Sequence, residues 1–569
     1  MPNVIIDPVT RIEGHLRIEA KVEGGQVAEA WSSGTMFRGM ELILRGRDPR
    51  EAWIWAQRIC GVCTTVHALA SVRAVEDALR IEIPPNARLI RSLMAGAQQI
   101  QDHVVHFYHL HALDWVDVTS ALRADPAATA RLAASLSDWP KSSAGYFRQV
   151  RERLERVVAS GQLSLFASGY WGHPAYRLPP EANLLAVAHY LEALDWQRDV
   201  IRVHAVLGGK NPHPQTYLVG GMATAIDPNE PEALNLERIG FIAERIQAMR
   251  AFVEQVYIPD VKAVAGFYPD WFALGAGHRN YLAYGGLPRG SIGDPSTFDF
   301  PRGIVLGGDL ATVHPLDQAR ITESIARSYY DYSGGDAEVR HPWDGETTPH
   351  YTGPTPPYTE LQRDAKYSWL KAPRYEGKVM EVGPLARMLV AYAGGVPRVR
   401  ELVDGVLQDL GAQPAALLST LGRVAARAVE TAYLLDLMDG WLDGLAHNMM
   451  SGDLRIHDGS RWEPSTWPAE AEGWGAHEAP RGSLGHWVRI EAGRIAGYQA
   501  IVPSTWNAGP RDAAGQPGPF EAALAGTPVA EPERPLELLR TIHSFDPCVA
   551  CAVHVVDARG RERVRVEVA

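Results

Sequence analysis

Cysteine is scarce in this chain, four residues in 569, too few for a disulfide framework, and the four fall in two pairs near opposite ends. Long apolar runs are missing as well: none approaches the ~20 residues that a membrane-spanning helix needs. Residues 1–7, MPNVIID, have neither a basic leader nor an apolar signal core, so the expectation is a soluble chain that another subunit takes to any membrane or extracytoplasmic site. Positive charge is the third shortage. Lys plus Arg number 55 against 67 for Asp plus Glu, a net −12, which repels polyanions and excludes nucleic acid as a partner. There is no internal repeat and no low-complexity tract.

What is present suffices for a large core: 46% of residues are hydrophobic and 21% charged. Length alone allows three or four domains of ~150 residues. The periodicity argues for one. Leu89, Leu93, Ala97, Ile100, Val104 and Phe107 recur at helical spacing within residues 86–122. The same period runs through 181–207, through Ile239, Ile242, Ile246, Met249, Val253 and Val256, and from Leu417 through Leu421, Val424, Ala428, Leu435 and Met438 to Leu442. Four long helices, each with a buried stripe, predict a bundle around a shared core. Alternation in residues 15–30 around Gly24-Gly25 predicts an N-terminal hairpin. Residues 263–400 and 455–530, rich in Gly, Pro, Trp and Tyr, are expected to wrap the bundle as ordered loops. The fold class is therefore α+β, mainly α: a large single domain on a long-helix bundle with small peripheral β-sheets.

The chemistry concentrates in Cys60-Gly61-Val62-Cys63, followed by His67, and Cys548-Val549-Ala550-Cys551, followed by His554. A Cys-x-x-Cys turn aims two thiolates at one ion, and two such turns can give four sulfurs to one centre. A structural zinc knot would use the same spacing, although zinc usually clips domains that lack a core. A thioredoxin-like redox pair would need a βαβ context that neither pair has.

Three words in the sequence resemble the signature motifs of the large subunit of nickel–iron hydrogenases of the uptake type: Asp7-Pro8-Val9-Thr10-Arg11-Ile12-Glu13-Gly14-His15, Arg58-x-Cys60-Gly61-x-Cys63 and Asp546-Pro547-Cys548-x-x-Cys551-x-x-His554. The resemblance runs end to end through Phe37-Arg38-Gly39-Met40-Glu41, Gly208-Gly209-Lys210-Asn211-Pro212-His213-Pro214, Glu381-Val382-Gly383-Pro384, Ala479-Pro480-Arg481-Gly482 and Val502-Pro503-Ser504-Thr505-Trp506-Asn507. It implies reversible heterolytic oxidation of dihydrogen, with Cys60 and Cys548 as terminal thiolates on nickel. Cys63 and Cys551 would bridge to an iron carrying carbon monoxide and cyanide.

By the same resemblance, Cys548 is the candidate base and Glu13 the next proton acceptor; on residues alone, Glu13 would be an ion-pair partner of Arg11. Arg481, Asp102, Asp546 and the turn residue Pro480 would form a polar canopy, where the simpler expectation is a buried Arg481–Asp546 salt bridge. His67 would donate to a bridging sulfur and Ser504 to a cyanide nitrogen; otherwise they read as a helix-surface histidine and a loop cap. Glu41, the carbonyl at about Ala500 and His554 would hold Mg²⁺, or Fe²⁺, where Glu41 alone reads as a surface carboxylate. His103, His106, His109 and His111 invite a metal assignment, but histidines on a mostly apolar helix are more often hydrogen-bonded packing residues.

Residues 555–569 resemble the extension that a maturation endopeptidase removes after His554, leaving a large-subunit domain of residues 1–554. The tail also argues against a hydrogen-sensing relative. No cysteine remains for an iron–sulfur cluster once four are assigned to the metals, so an iron–sulfur small subunit must carry the electrons. The resemblance further implies export with that subunit to the periplasmic side of the cytoplasmic membrane, with a cytoplasmic location as the alternative, and docking to a membrane cytochrome b.

Overall fold

A computed structural model of the chain describes residues 3–161, 163, 166–356 and 358–549. The four apolar stripes become helices in one bundle. Pro85–Val105 starts on a proline, which costs nothing at a helix N-terminus because its missing N–H would have had no helical partner. Thr420–Met450, 31 residues, is capped by Ser419, whose hydroxyl accepts from Gly422 N–H at 2.9 Å. These two helices cross at Gly96, where a side chain would press on Met438 and Trp441. Pro180–Val200 and Leu236–Phe252 pack around them. A single apolar cluster joins all four, as expected for one mainly helical domain.

Two expectations need correction. The stripe over residues 86–122 is not one α-helix: after Val105 it widens into a π-helical stretch, His106–His111, then into short 3₁₀ turns. The buried imidazoles of His106 and His111 there reach the carbonyls of His543 and Arg540. Residues 455–530 are not only loops. Glu470–Ala479, Gly482–Glu491 and Arg494–Ile501 form a three-stranded antiparallel sheet, and residues 263–400 contain the helix Pro384–Ala393. Tertiary packing overrides the local glycine signal here. The helix Val66–Leu79, which the apolar periodicity did not single out, lies on the first of these strands.

The strand glycines explain that contact. A Cβ on Gly475 would overlap the backbone of Ala70 and Ala74, and one on Gly473 that of Ala74 and Ala78. The helix therefore rests directly on the strand, which fixes where its N-terminus, next to Cys63, meets the hairpin tip at Pro480-Arg481. Gly475→Ala should destabilise the protein by about 3 kcal/mol through overpacking, measured as a fall in its thermal unfolding temperature; an unchanged temperature would mean that the helix can move aside.

The N-terminal hairpin is present as Leu16–Glu23 and Gln26–Gly34, with Asn3–Ile6 as a third antiparallel strand. Gly24 and Gly25 both take positive φ at the turn, as a tight hairpin requires. This sheet shares an apolar cluster with Leu536–Ser544, which brings the two ends of the chain together.

Candidate metal centre

Three cysteine sulfurs converge although nearly the whole chain separates them. Ligand atoms of Cys60, Cys63 and Cys548 lie within 4.8 Å of one another, all buried. The Sγ atoms of Cys60 and Cys548 are 3.4 Å apart, a gap that two sulfurs ~2.3 Å from one ion can span. The first pair sits on a turn that closes with Cys63 N–H donating to Cys60 Sγ at 3.2 Å. Arg38, from the Phe-Arg-Gly-Met-Glu word, donates to the carbonyls of Arg58 and Ile59 at 2.7 and 3.0 Å. Cys548 follows the C-terminal helix and pairs main chain with Glu13: Val549 N–H donates to Glu13 O at 2.7 Å. Cys551 and His554 lie outside the described residues, as does the tail.

Arg481 occupies the hairpin tip between Ala479 and Gly482. Its Nη1 donates to Asp102 Oδ2 at 3.1 Å, and its Nε is 3.1 Å from Asp546 Oδ1. The simpler expectation of one Arg481–Asp546 bridge thus becomes a bridge to both carboxylates. Burial alone would weaken the charge on Arg481, but Asp546, Cys548 and Asp102 around it hold it well above its ordinary value. Burial pushes Asp102 up to about 7; the Arg481 guanidinium opposes this, and Asp546 and Cys60 add to it. Gln98, one turn earlier, fixes Asp102 at 2.7 Å. Pro480 carries no side-chain polarity, and its carbonyl accepts from Arg387 at 3.2 Å.

Glu13 is not the partner of Arg11, which pairs with Asp114 instead. Burial and the Cys60 sulfur push the Glu13 carboxyl upward, against Arg481 and Arg38. Ser504 lies in the short helix Pro503–Ala508, and its hydroxyl accepts from Cys548 N–H at 3.0 Å, which leaves its own proton to donate elsewhere. His67 is buried, not on a helix surface. It lines a small cavity together with Cys63, Cys548, Pro480, Arg481 and Ser504.

Soft, buried sulfurs beside a fixed cation suit a thiolate-bound transition metal. Two further observations fit such a group. Asp546 Oδ2 is buried without a hydrogen bond among the described residues, and the sulfurs of Cys63 and Cys548 border a small cavity. A second cavity, of about 80 Å³, is lined by Arg38, Glu41, Glu323, Lys371 and Ala500 among others. There Glu41 accepts from Thr347 and from Ala500 N–H. Burial pushes Glu323 up to about 7, opposed by Lys371, whose ammonium lies 3.4 Å away, and reinforced by Glu41.

Residue patterns left some of this unread. Arg423, Arg427 and Glu430 form a buried charged stripe on Thr420–Met450. Arg427 donates to Ser544 O at 2.6 Å, anchoring the turn that carries Asp546. Glu430 takes two hydrogen bonds from Arg387, which also pairs with Glu478. Charges spaced by four and three on an apolar helix were the available signal. His103, His106, His109 and His111 each bond to a protein oxygen, as expected of packing residues.

Known proteins are similar to this chain across its length. A family model described as nickel-dependent hydrogenase matches residues 38–554, and one described as HoxL-like matches residues 3–32. The chain is 51% identical to an uptake hydrogenase large subunit of Rhizobium leguminosarum bv. viciae, over 99% of this chain and 97% of the relative. It is 48% identical, with the same coverage, to the hydrogenase-1 large chain of Escherichia coli K12. Among solved structures, the reduced Ni-Fe-Se hydrogenase of Desulfovibrio vulgaris Hildenborough aligns with a TM-score of 0.76 at 35% identity, covering 97% of this chain and 100% of that one.

Proposed function

This chain belongs to the nickel-dependent hydrogenases as a large, catalytic subunit, and from that premise we propose how its residues divide the work. The reaction is the reversible oxidation of dihydrogen to protons and electrons. A thiolate-bound nickel–iron pair supplies the electron acceptance that lets dihydrogen split heterolytically. Cys60 and Cys548 would hold the nickel, and Cys63 and Cys551 would be shared between nickel and iron. The convergence of Cys60, Cys63 and Cys548 is the observation that carries the reading.

The proton goes first to the Cys548 sulfur and then to Glu13, which is tied by its main chain to Val549 and held at a raised affinity for protons. Arg481 stays charged over the cavity and fixes its polarity, while Asp102 and Asp546 hold its head group. The iron would carry carbon monoxide and cyanide. The Ser504 hydroxyl, whose oxygen is already committed to Cys548 N–H, would donate to a cyanide nitrogen, and His67 would donate to a bridging sulfur. Glu41, the Ala500 carbonyl and His554 would hold Mg²⁺, or Fe²⁺, in the second cavity, where the Glu41 carboxylate and the Ala500 carbonyl are hard oxygen donors.

Electrons leave where the first pair is thinnest-walled: between buried Cys60 and Cys63, Gly61 is exposed and Val62 is 38% exposed. An iron–sulfur small subunit takes them there and passes them to a membrane cytochrome b. No helix among the described residues is long and apolar enough to cross a membrane, and export with the small subunit places the chain on the periplasmic side. The functional domain is residues 1–554, and an endopeptidase removes residues 555–569 once nickel is inserted.

The test is metal analysis with infrared spectroscopy on the protein purified with its small subunit. Nickel and iron in equal amounts, with carbon monoxide and cyanide bands in the window free of protein absorption, are expected. Zinc in their place, without those bands, would overturn the assignment.

A further inference from the structure

Away from the cysteines, the helix Val66–Leu79 carries a buried cation with no carboxylate of its own. Arg73 is only 6% exposed. Its Nη1 donates to Ala476 O at 2.8 Å, the one hydrogen bond its side chain makes among the described residues. The acidic neighbour, Glu76, is already taken. Arg91 donates to both of its oxygens at 2.8 and 2.7 Å, and Gly220 N–H donates to it at 2.9 Å.

A buried lysine can shed its proton to escape a low-dielectric site, but a guanidinium cannot. Burial and the neighbouring Arg91 lower Arg73 to about 10, against the pull of Glu76, so it stays charged at neutral pH. A buried charge left without a counter-charge is costly, and the usual remedy is an ion of opposite sign.

The fold leaves room for one. Arg73 lines a cavity of about 20 Å³, more than the ~10–15 Å³ that a single water needs. Arg88, from Pro85–Val105, lines the same cavity, and its side chain has neither a hydrogen bond nor an ion pair among the described residues. Two carboxylates are present as well, Glu76 and Glu82, but the second accepts from the Ser291 hydroxyl. Three arginines, Arg73, Arg88 and Arg91, against these two carboxylates leave a surplus of one positive charge. The rest of the wall is largely apolar, with Ile81, Ile83 and Ile292, so little else there competes for an anion.

We propose that this cavity is a binding site for one small monovalent anion of chloride size, held by Arg73 and Arg88. Size and charge both argue against phosphate: the space is about that of one or two waters, and a dianion would turn the surplus into a deficit. The site lies where Arg73 ties its helix to Ala476 on the strand Glu470–Ala479. A bound anion would therefore strengthen the seat of the helix that begins beside Cys63.

The probe is chloride itself, on the purified large–small complex at fixed sodium and ionic strength. Replacing gluconate, too large to enter, by chloride should raise the unfolding temperature along a saturating curve, by about 2 °C. Arg73→Gln should abolish the saturating rise, and Arg88→Gln should weaken the apparent affinity about tenfold. No saturating rise in the unaltered complex, or the same rise in Arg73→Gln, would overturn the proposal. If Arg73→Gln fails to assemble, crystals of the unaltered complex in bromide decide: an anomalous peak beside Arg73 and Arg88 is expected, and an empty cavity at saturating bromide would refute the site.

Discussion

Cys548→Ala is expected to yield a folded chain without nickel and with dihydrogen turnover reduced by at least about 10⁴-fold, the scale seen when one member of a jointly acting site is removed. The sulfur of Cys548 lies 3.4 Å from that of Cys60 and among the charges of Arg481 and Asp546. Its loss takes away a soft donor and a negative charge together and leaves Arg481 facing the cavity with less to balance it. The side chain is small, so the hole it leaves is modest, and the two largest apolar clusters do not include it, although the small cluster beside the cavity does. Elemental analysis beside a thermal unfolding curve measures both halves of the expectation. Nickel retained at full occupancy would remove Cys548 from the ligand set.

Glu13→Gln is expected to do the reverse: metals bound, infrared bands at wild-type positions, and turnover reduced by about 10³-fold, within the range for loss of a positioned proton acceptor. Glutamine preserves size and the main-chain link to Val549, so only the ability to take a proton changes. Isotope exchange between dihydrogen and water should fall with turnover, because both need the same proton exit. Exchange at the wild-type rate would show that the proton leaves by another group.

Much of the site was legible because its chemistry is carried by unusual residue pairs. Two Cys-x-x-Cys turns in a chain with four cysteines leave few interpretations, and the apolar stripes from Leu89 and Leu417 mark helices because buried faces need a 3.6-residue period. The strands from Glu470 to Ile501 were hidden because their glycines, which look like loop residues, serve to let a helix backbone approach at Gly473 and Gly475. Arg427 and Glu430 were visible as misplaced charges on an apolar helix, but their partners, Ser544 O and Arg387, are set by tertiary contact alone.

The pairing of Glu13 with Val549 has a temporal side. At roughly 5–20 residues per second, a ribosome that has just added Cys63 needs about half a minute to a minute and a half to reach Cys548. Throughout that interval the early thiols exist without the late one, and no partial product can make a working centre by itself. On the proposed ligand set, the centre is completed late in biosynthesis, and a chain terminated before Cys548 lacks one of its sulfur donors.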